Sequence, residues 1–128
     1  MEENVRTKVF IAEDSAEVRR YIVDLVEDVE GALVVGEAES AEAAVAGIMR
    51  TEPDCVVLDF QLAGGTGLDV LRAIHPRAPQ ITFIVLTNFA NPQYEKACVA
   101  AGAHCFFDKS NEFMRVRDVI AGLEPQPN

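Results

Sequence analysis

The chain has 128 residues, 49% of them apolar and 25% charged, with a formal net charge of −10. Its length suits one domain with a real core, and no stretch approaches the roughly 20 apolar residues that span a bilayer. The acidic balance disfavours autonomous nucleic-acid binding, which needs a basic stripe, and suits a cationic partner surface or a divalent metal.

Met1-Glu2-Glu3-Asn4 is acidic and lacks an apolar h-region, so no secretory signal is expected and a cytoplasmic location is. Val9-Phe10-Ile11-Ala12 then reads as a strand that breaks off at Glu13-Asp14. After Ser15, a good N-cap, Val18, Ile22, Leu25, Val26 and Val29 follow helical spacing. Leu33-Val34-Val35-Gly36-Glu37-Ala38 reads as a strand turning polar at its end, which suits a sheet edge. A second helix follows Ser40, with Ala41, Ala44, Val45 and Ile48 on one face, and stops before Pro53. Cys55-Val56-Val57-Leu58 breaks off at Asp59. A third helix carries Leu68, Leu71 and Ile74 and ends before Pro76.

Ile81-Thr82-Phe83-Ile84-Val85-Leu86 runs to Thr87-Asn88. Pro92 suits the first turn of a fourth helix, with Tyr94, Ala97, Cys98 and Ala101 expected inward and Gly102 closing it. Cys105-Phe106-Phe107 leads through Asp108 to Lys109, and a fifth helix carries Phe113, Val116, Ile120 and Leu123. Cys55, Cys98 and Cys105 form no C-x-x-C pair and read as reduced core residues. There is no internal repeat or linker. Residues 1–128 are read as one domain with its core at about 8–123 and a frayed tail over 124–128, and no output domain is expected to follow.

Short apolar runs without polar alternation, separated by helical patterns, predict strands buried on both faces of a parallel sheet. Right-handed crossovers put helices on both faces. The fold class is therefore α/β, a doubly wound, flavodoxin-like (βα)5 domain of strand order 2-1-3-4-5, with ligands expected outside the carboxyl ends of the strands. That order brings Glu13, Asp14 and Asp59 together, with Thr87 and Lys109 on the same edge.

A carboxylate attacks phosphorus poorly unless the phosphoryl group loses negative charge, which Mg2+ achieves with one or two protein carboxylates, water and phosphate as ligands. Without metal, mutual repulsion among the three carboxylates would raise at least one pKa. Charge spreading over the equatorial oxygens would meet the ammonium of Lys109 and the hydroxyl of Thr87. Each group has a plainer reading when taken singly. Glu13-Asp14 would be a solvated helix start, Asp59 a turn carboxylate, Thr87 a strand-end cap, Lys109 a loop charge and Phe106 a core aromatic. For all four polar groups, the acidic pair counted as one, to stand at the ends of the right strands by chance is improbable.

With these residues in place, the chain resembles a receiver domain of the two-component response regulators over nearly all its length. The matching pieces are the acidic pair, Leu58-Asp59, the loop Leu62-Ala63-Gly64-Gly65-Thr66-Gly67-Leu68, Leu86-Thr87, and Gly102-Ala103-His104-Cys105-Phe106-Phe107-Asp108-Lys109. The resemblance implies Asp59 as phosphoacceptor, Asp14 as a direct Mg2+ ligand, Glu13 acting mainly through metal-bound water, and the backbone carbonyl of Gln61 as a further ligand. It implies Thr87 as switch hydroxyl, Phe106 as switch aromatic and Lys109 as the phosphate-binding lysine. Mg2+ is the only cofactor implied. A histidine kinase or phosphotransfer protein would donate the phosphoryl group, and the chain would catalyse only its own modification. Helix 4, strand 5 and helix 5, approximately residues 92 to 121, would then pass the signal to a downstream protein, with a phosphorylation-dependent homodimer among the outcomes the resemblance allows.

Two residues depart from the family pattern. Ala63 stands where proline is usual, so a less rigid loop is expected after Asp59. Asn88 follows the switch threonine where a small residue is usual. Gln61 and Phe89, flanking the path of attacking water, are neither acid nor base. Among other readings, a phosphorylation-independent binding module is opposed by the intact set. An aspartyl-phosphate hydrolase would want an acid where Gln61 stands. A flavin site would not tolerate Glu13-Asp14 in its phosphate loop.

Overall fold

The computed structural model describes residues 6–88 and 91–123; the expected tail, the first five residues and Phe89 lie outside them. Among the described residues, the five strands of the main sheet alternate with five helices: β1 (Thr7–Ala12), α1 (Ala16–Glu27), β2 (Ala32–Ala38), α2 (Ala41–Thr51), β3 (Cys55–Asp59), α3 (Gly67–Ile74), β4 (Thr82–Thr87), α4 (Pro92–Ala100), β5 (Cys105–Asp108) and α5 (Phe113–Ala121). All strand pairs in this sheet are parallel, in the order β2-β1-β3-β4-β5. The predicted doubly wound (βα)5 fold is the observed one, with β2 at an edge.

Alternation along the strands sorts the core into two layers. Phe10, Ala12, Val56, Leu58, Phe83 and Val85 pack with the buried residues of α2, α3 and α4. Val9, Ile11, Val57, Ile84 and Leu86 pack with those of α1 and α5. Both faces of β3 are covered, and all five of its residues are buried. The predicted caps are present: Ser15 and Ser40 side chains accept from the backbone N–H of Val18 and Ala43 at 3.2 and 3.1 Å. Thr66 caps α3 in a reciprocal box with Asp69, which turns the chain out of the Asp59 loop.

Several boundaries differ from the sequence reading. Val29 and Leu123 lie just past α1 and α5, yet both still pack into the core. Ile81 precedes β4 by one residue and is buried. Tyr94, expected inward, is 40% exposed. It lies two residues into α4, a helix in which only Cys98 is fully buried, and its ring stacks on Phe60 at 4.5 Å between centroids. Cys55 and Cys98 are buried free thiols, while Cys105 is half-buried. Burial raises all three pKa values, that of Cys98 to about 11, so the thiolates are disfavoured.

Two glycines hold close approaches. Gly102, at φ +117°, ends the turn after α4, and a Cβ there would clash with the His75 ring. A Cβ on Gly67 would lie 2.6 Å from the carbonyl oxygen of Asp59 and 3.3 Å from the Cα of Phe60. Backbone cannot step aside as a flexible side chain can. Gly67→Ala should therefore cost about 1–3 kcal/mol in chemical denaturation, as overpacking does; an unchanged midpoint would show that α3 moves without penalty.

Candidate phosphoryl-transfer site

Register positions the site. Ala12 lies opposite Leu58, so the next residues of β1 and β3 bring Glu13 beside Asp59. Asp59 pairs with Leu86, and Thr87 with Asp108, which sets Thr87 and Lys109 one step further along the same edge. The Lys109 N–H donates to the Thr87 carbonyl at 2.8 Å. These groups line a cleft of about 290 Å3 together with Asp14, Ser15, Gln61 and Asn88. A larger cleft, of about 420 Å3, lies at the other end of the sheet around Lys8, Asp54 and Arg77 and holds none of them.

The Lys109 ammonium sits between two carboxylates, 2.8 Å from Glu13 Oε1 and 3.2 Å from Asp59 Oδ2. All three side chains are at most 7% exposed. Lys109 and Glu13 Oε1 form a close ion pair, but among the described residues no hydrogen bond of good geometry reaches that oxygen, which keeps acceptor capacity. Glu13 Oε2 accepts from the Ser15 N–H at 3.2 Å, and Asp59 Oδ1 from the Gln61 N–H at 3.3 Å. Burial, and then the charge of Glu13, push the Asp59 carboxyl up to about 7, against the opposing pull of Lys109 and the Gln61 N–H. The predicted repulsion thus falls on the central carboxylate.

Carboxylate oxygens of Glu13, Asp14 and Asp59 lie within 4.8 Å of one another, Asp14 alone being exposed. With one lysine against three acids, the cluster carries surplus negative charge that a dication matches. Hard oxygen donors, a buried oxygen with no well-formed hydrogen bond and one solvent-facing carboxylate suit Mg2+. The plainer reading of Glu13 as a solvated helix start is excluded, for it is 1% exposed. Thr87 is buried at the end of β4, and Phe106 is half-buried against the layer that contains Val85 and Cys98.

The loop after Asp59 is held more firmly than the loss of proline suggested. Ala63 donates its N–H to the Glu39 carbonyl at 3.1 Å and accepts from the Ala41 N–H at 3.0 Å. A proline at 63 could not make the first of these bonds. Gln61–Leu62 also pairs antiparallel with Gly65–Thr66. Sequence reading missed Arg19, whose Nη1 donates to the Glu13 carbonyl at 2.7 Å and whose Nε donates to Glu37 at 3.2 Å. Its position one turn into α1 was the only signal, since a backbone acceptor leaves no mark in sequence.

Asn88 is exposed at the cleft beside Thr87. If its bulk obstructs the entrance, Asn88→Ala should speed phosphorylation by a small phosphodonor and phosphate release alike, each by about threefold or about 0.6 kcal/mol of barrier. Quenched time courses read by intact mass suit a chain without tryptophan. Slower phosphorylation in the variant would instead mean that the amide binds the phosphoryl group.

Comparison with known proteins gives the same class. Residues 9–121 match the response regulator receiver domain family. The chain belongs to that family and is a receiver domain of the kind found in two-component systems. It is 34% identical over 119 residues to the DNA-binding transcriptional activator DevR/DosR of Mycobacterium tuberculosis, covering 90% of this chain and 55% of that protein. It is 32% identical over 113 residues to the uncharacterized transcriptional regulatory protein YvfU of Bacillus subtilis, covering 88% of this chain and 56% of that one. The chain thus spans about half the length of these curated relatives. A DNA-binding response regulator of the LuxR family from Staphylococcus aureus superposes with a TM-score of 0.82 at 26% identity, covering 89% of this chain and 95% of that one.

Proposed function

We propose that this receiver takes a phosphoryl group onto Asp59 from a phosphohistidine of a kinase or phosphotransfer protein, and that it catalyses only this modification and its reversal. The observation that carries the reading is Asp59 itself, buried at the end of β3 between Lys109 and two further carboxylates. A carboxylate oxygen attacks phosphorus in line; the new P–O bond forms as the donor's P–N bond breaks, and its electron pair returns to the imidazole. Mg2+, held by Glu13, Asp14, Asp59 and the carbonyl of Gln61, would supply charge neutralisation at the phosphoryl oxygens. Lys109 exchanges its contact with Asp59 for one phosphoryl oxygen, and the Thr87 hydroxyl donates to another.

Drawing Thr87 toward the phosphoryl group biases a two-state equilibrium in which Phe106 deepens its packing and the α4–β5–α5 surface changes. That surface acts on a downstream protein. The two curated relatives are named as transcriptional regulators; in this chain the net charge of −10 argues for a protein target rather than direct contact with nucleic acid. Among the described residues no helix is long and apolar enough to cross a membrane, and a cytoplasmic site of action goes with the proposed kinase partner. Incubation with Mg2+ and acetyl phosphate, followed by intact mass, should show one added phosphoryl group that chelator prevents. No addition under any donor would overturn the reading.

A further inference from the structure

Asp14 is exposed and, among the described residues, its carboxylate makes no hydrogen bond or ion pair, so nothing on its side chain holds it toward the metal position. Its placement depends on the backbone. The preceding residue is fixed at several points: the Glu13 N–H donates to the Ala38 carbonyl of β2 at 2.9 Å, and Glu13 Oε2 accepts from Ser15. The carbonyl of Glu13 belongs to the peptide that joins it to Asp14, so a donor bound to it restrains ψ of Glu13 and φ of Asp14, the two torsions that set where the Asp14 side chain leaves the backbone. Arg19 Nη1 donates to that carbonyl at 2.7 Å, a short charge-assisted bond. The same guanidinium is braced by Glu37 near the end of β2, through Nε at 3.2 Å, while its side chain is 19% exposed. One planar group therefore ties α1, the acidic pair and the edge strand together, a geometry that suits arginine.

We infer that Arg19 is a positioning residue for the metal site: by holding the Glu13–Asp14 peptide plane it aims the Asp14 carboxylate at the dication. This inference rests on the reading of Glu13, Asp14 and Asp59 as a Mg2+ site. Its sign separates it from simple electrostatics. Arg19 is a cation beside an acidic cluster, and removing it on Coulombic grounds alone should tighten Mg2+ binding. If Arg19 orients a ligand, its removal should weaken binding despite the gain in negative charge, because partners that orient metal ligands carry much of the affinity.

Calorimetric titration of Mg2+ into the full chain tests this. Arg19→Gln should raise the Kd about tenfold, the lower end of what losing such a partner costs. Arg19→Met keeps the alkyl stem on α1 and should do the same, with its melting temperature in chelator confirming a folded protein. Arg19→Lys, able to donate once to the carbonyl, should recover most of the affinity, a rescue that a general loosening of α1 would not give. An unchanged or tighter Kd in the two neutral variants, or a lysine variant as weak as they are, would overturn the inference while leaving the metal site standing. If the wild-type chain itself takes up no Mg2+, the metal site fails first.

Discussion

Asp59→Asn should take up no phosphoryl group from acetyl phosphate or from a phosphohistidine donor, while folding as the wild type does. The amide is nearly isosteric with the carboxylate and removes the nucleophilic oxygen charge, so the loss is of the reaction and not of the architecture. Lys109 keeps its 2.8 Å contact with Glu13. Relief of repulsion between Asp59 and Glu13 should leave the variant at least as stable as wild type above neutral pH. Intact mass and circular dichroism read the two results separately. Uptake of phosphate by the variant, mapped to Asp14, Asp108 or another side chain, would remove Asp59 from the proposed role.

The candidate site was largely legible in the sequence because each of its groups terminates an apolar run, and a parallel sheet gathers such termini at one edge. Ser15 and Ser40 were legible for a similarly local reason, since a cap acts within three residues of itself. Long-range and backbone-mediated features were not. Tyr94 has the spacing of an inward residue, but its stacking partner Phe60 lies far off in sequence, in the loop just after β3. Arg19 looks like any exposed helix arginine until its acceptor, a main-chain carbonyl, is located. Ala63 shows the opposite failure. The missing proline suggested slack, whereas the N–H that proline lacks is what pins the loop to Glu39. Glu52 ends α2 in the left-handed region at φ 49° without a glycine to announce it.

The raised pKa of Asp59 makes the stability of the metal-free protein depend on pH with a definite sign. Its carboxyl titrates near 7 when folded, against about 3.9 in an unfolded chain. The folded state therefore binds the extra proton, and this contribution is complete below the unfolded value and lost as pH rises through the folded one. Between about pH 5.5 and 8.5, wild type should lose about 2 kcal/mol relative to Asp59→Asn in denaturant titrations with chelator present. Taking the difference from the variant cancels groups common to both proteins, including the depressed carboxyl of Asp108. Mg2+ should reverse the trend, because it binds the ionised cluster and competes with the proton. At one hundred times its Kd it should add about 2.7 kcal/mol at the upper pH and distinctly less at the lower. Asp14→Ala should abolish most of that gain while retaining the metal-free pH profile, since Asp59 owes its shift to burial and Glu13. A Mg2+ effect that is equal at both pH values, or intact in Asp14→Ala, would mean that the dication binds elsewhere on this acidic chain.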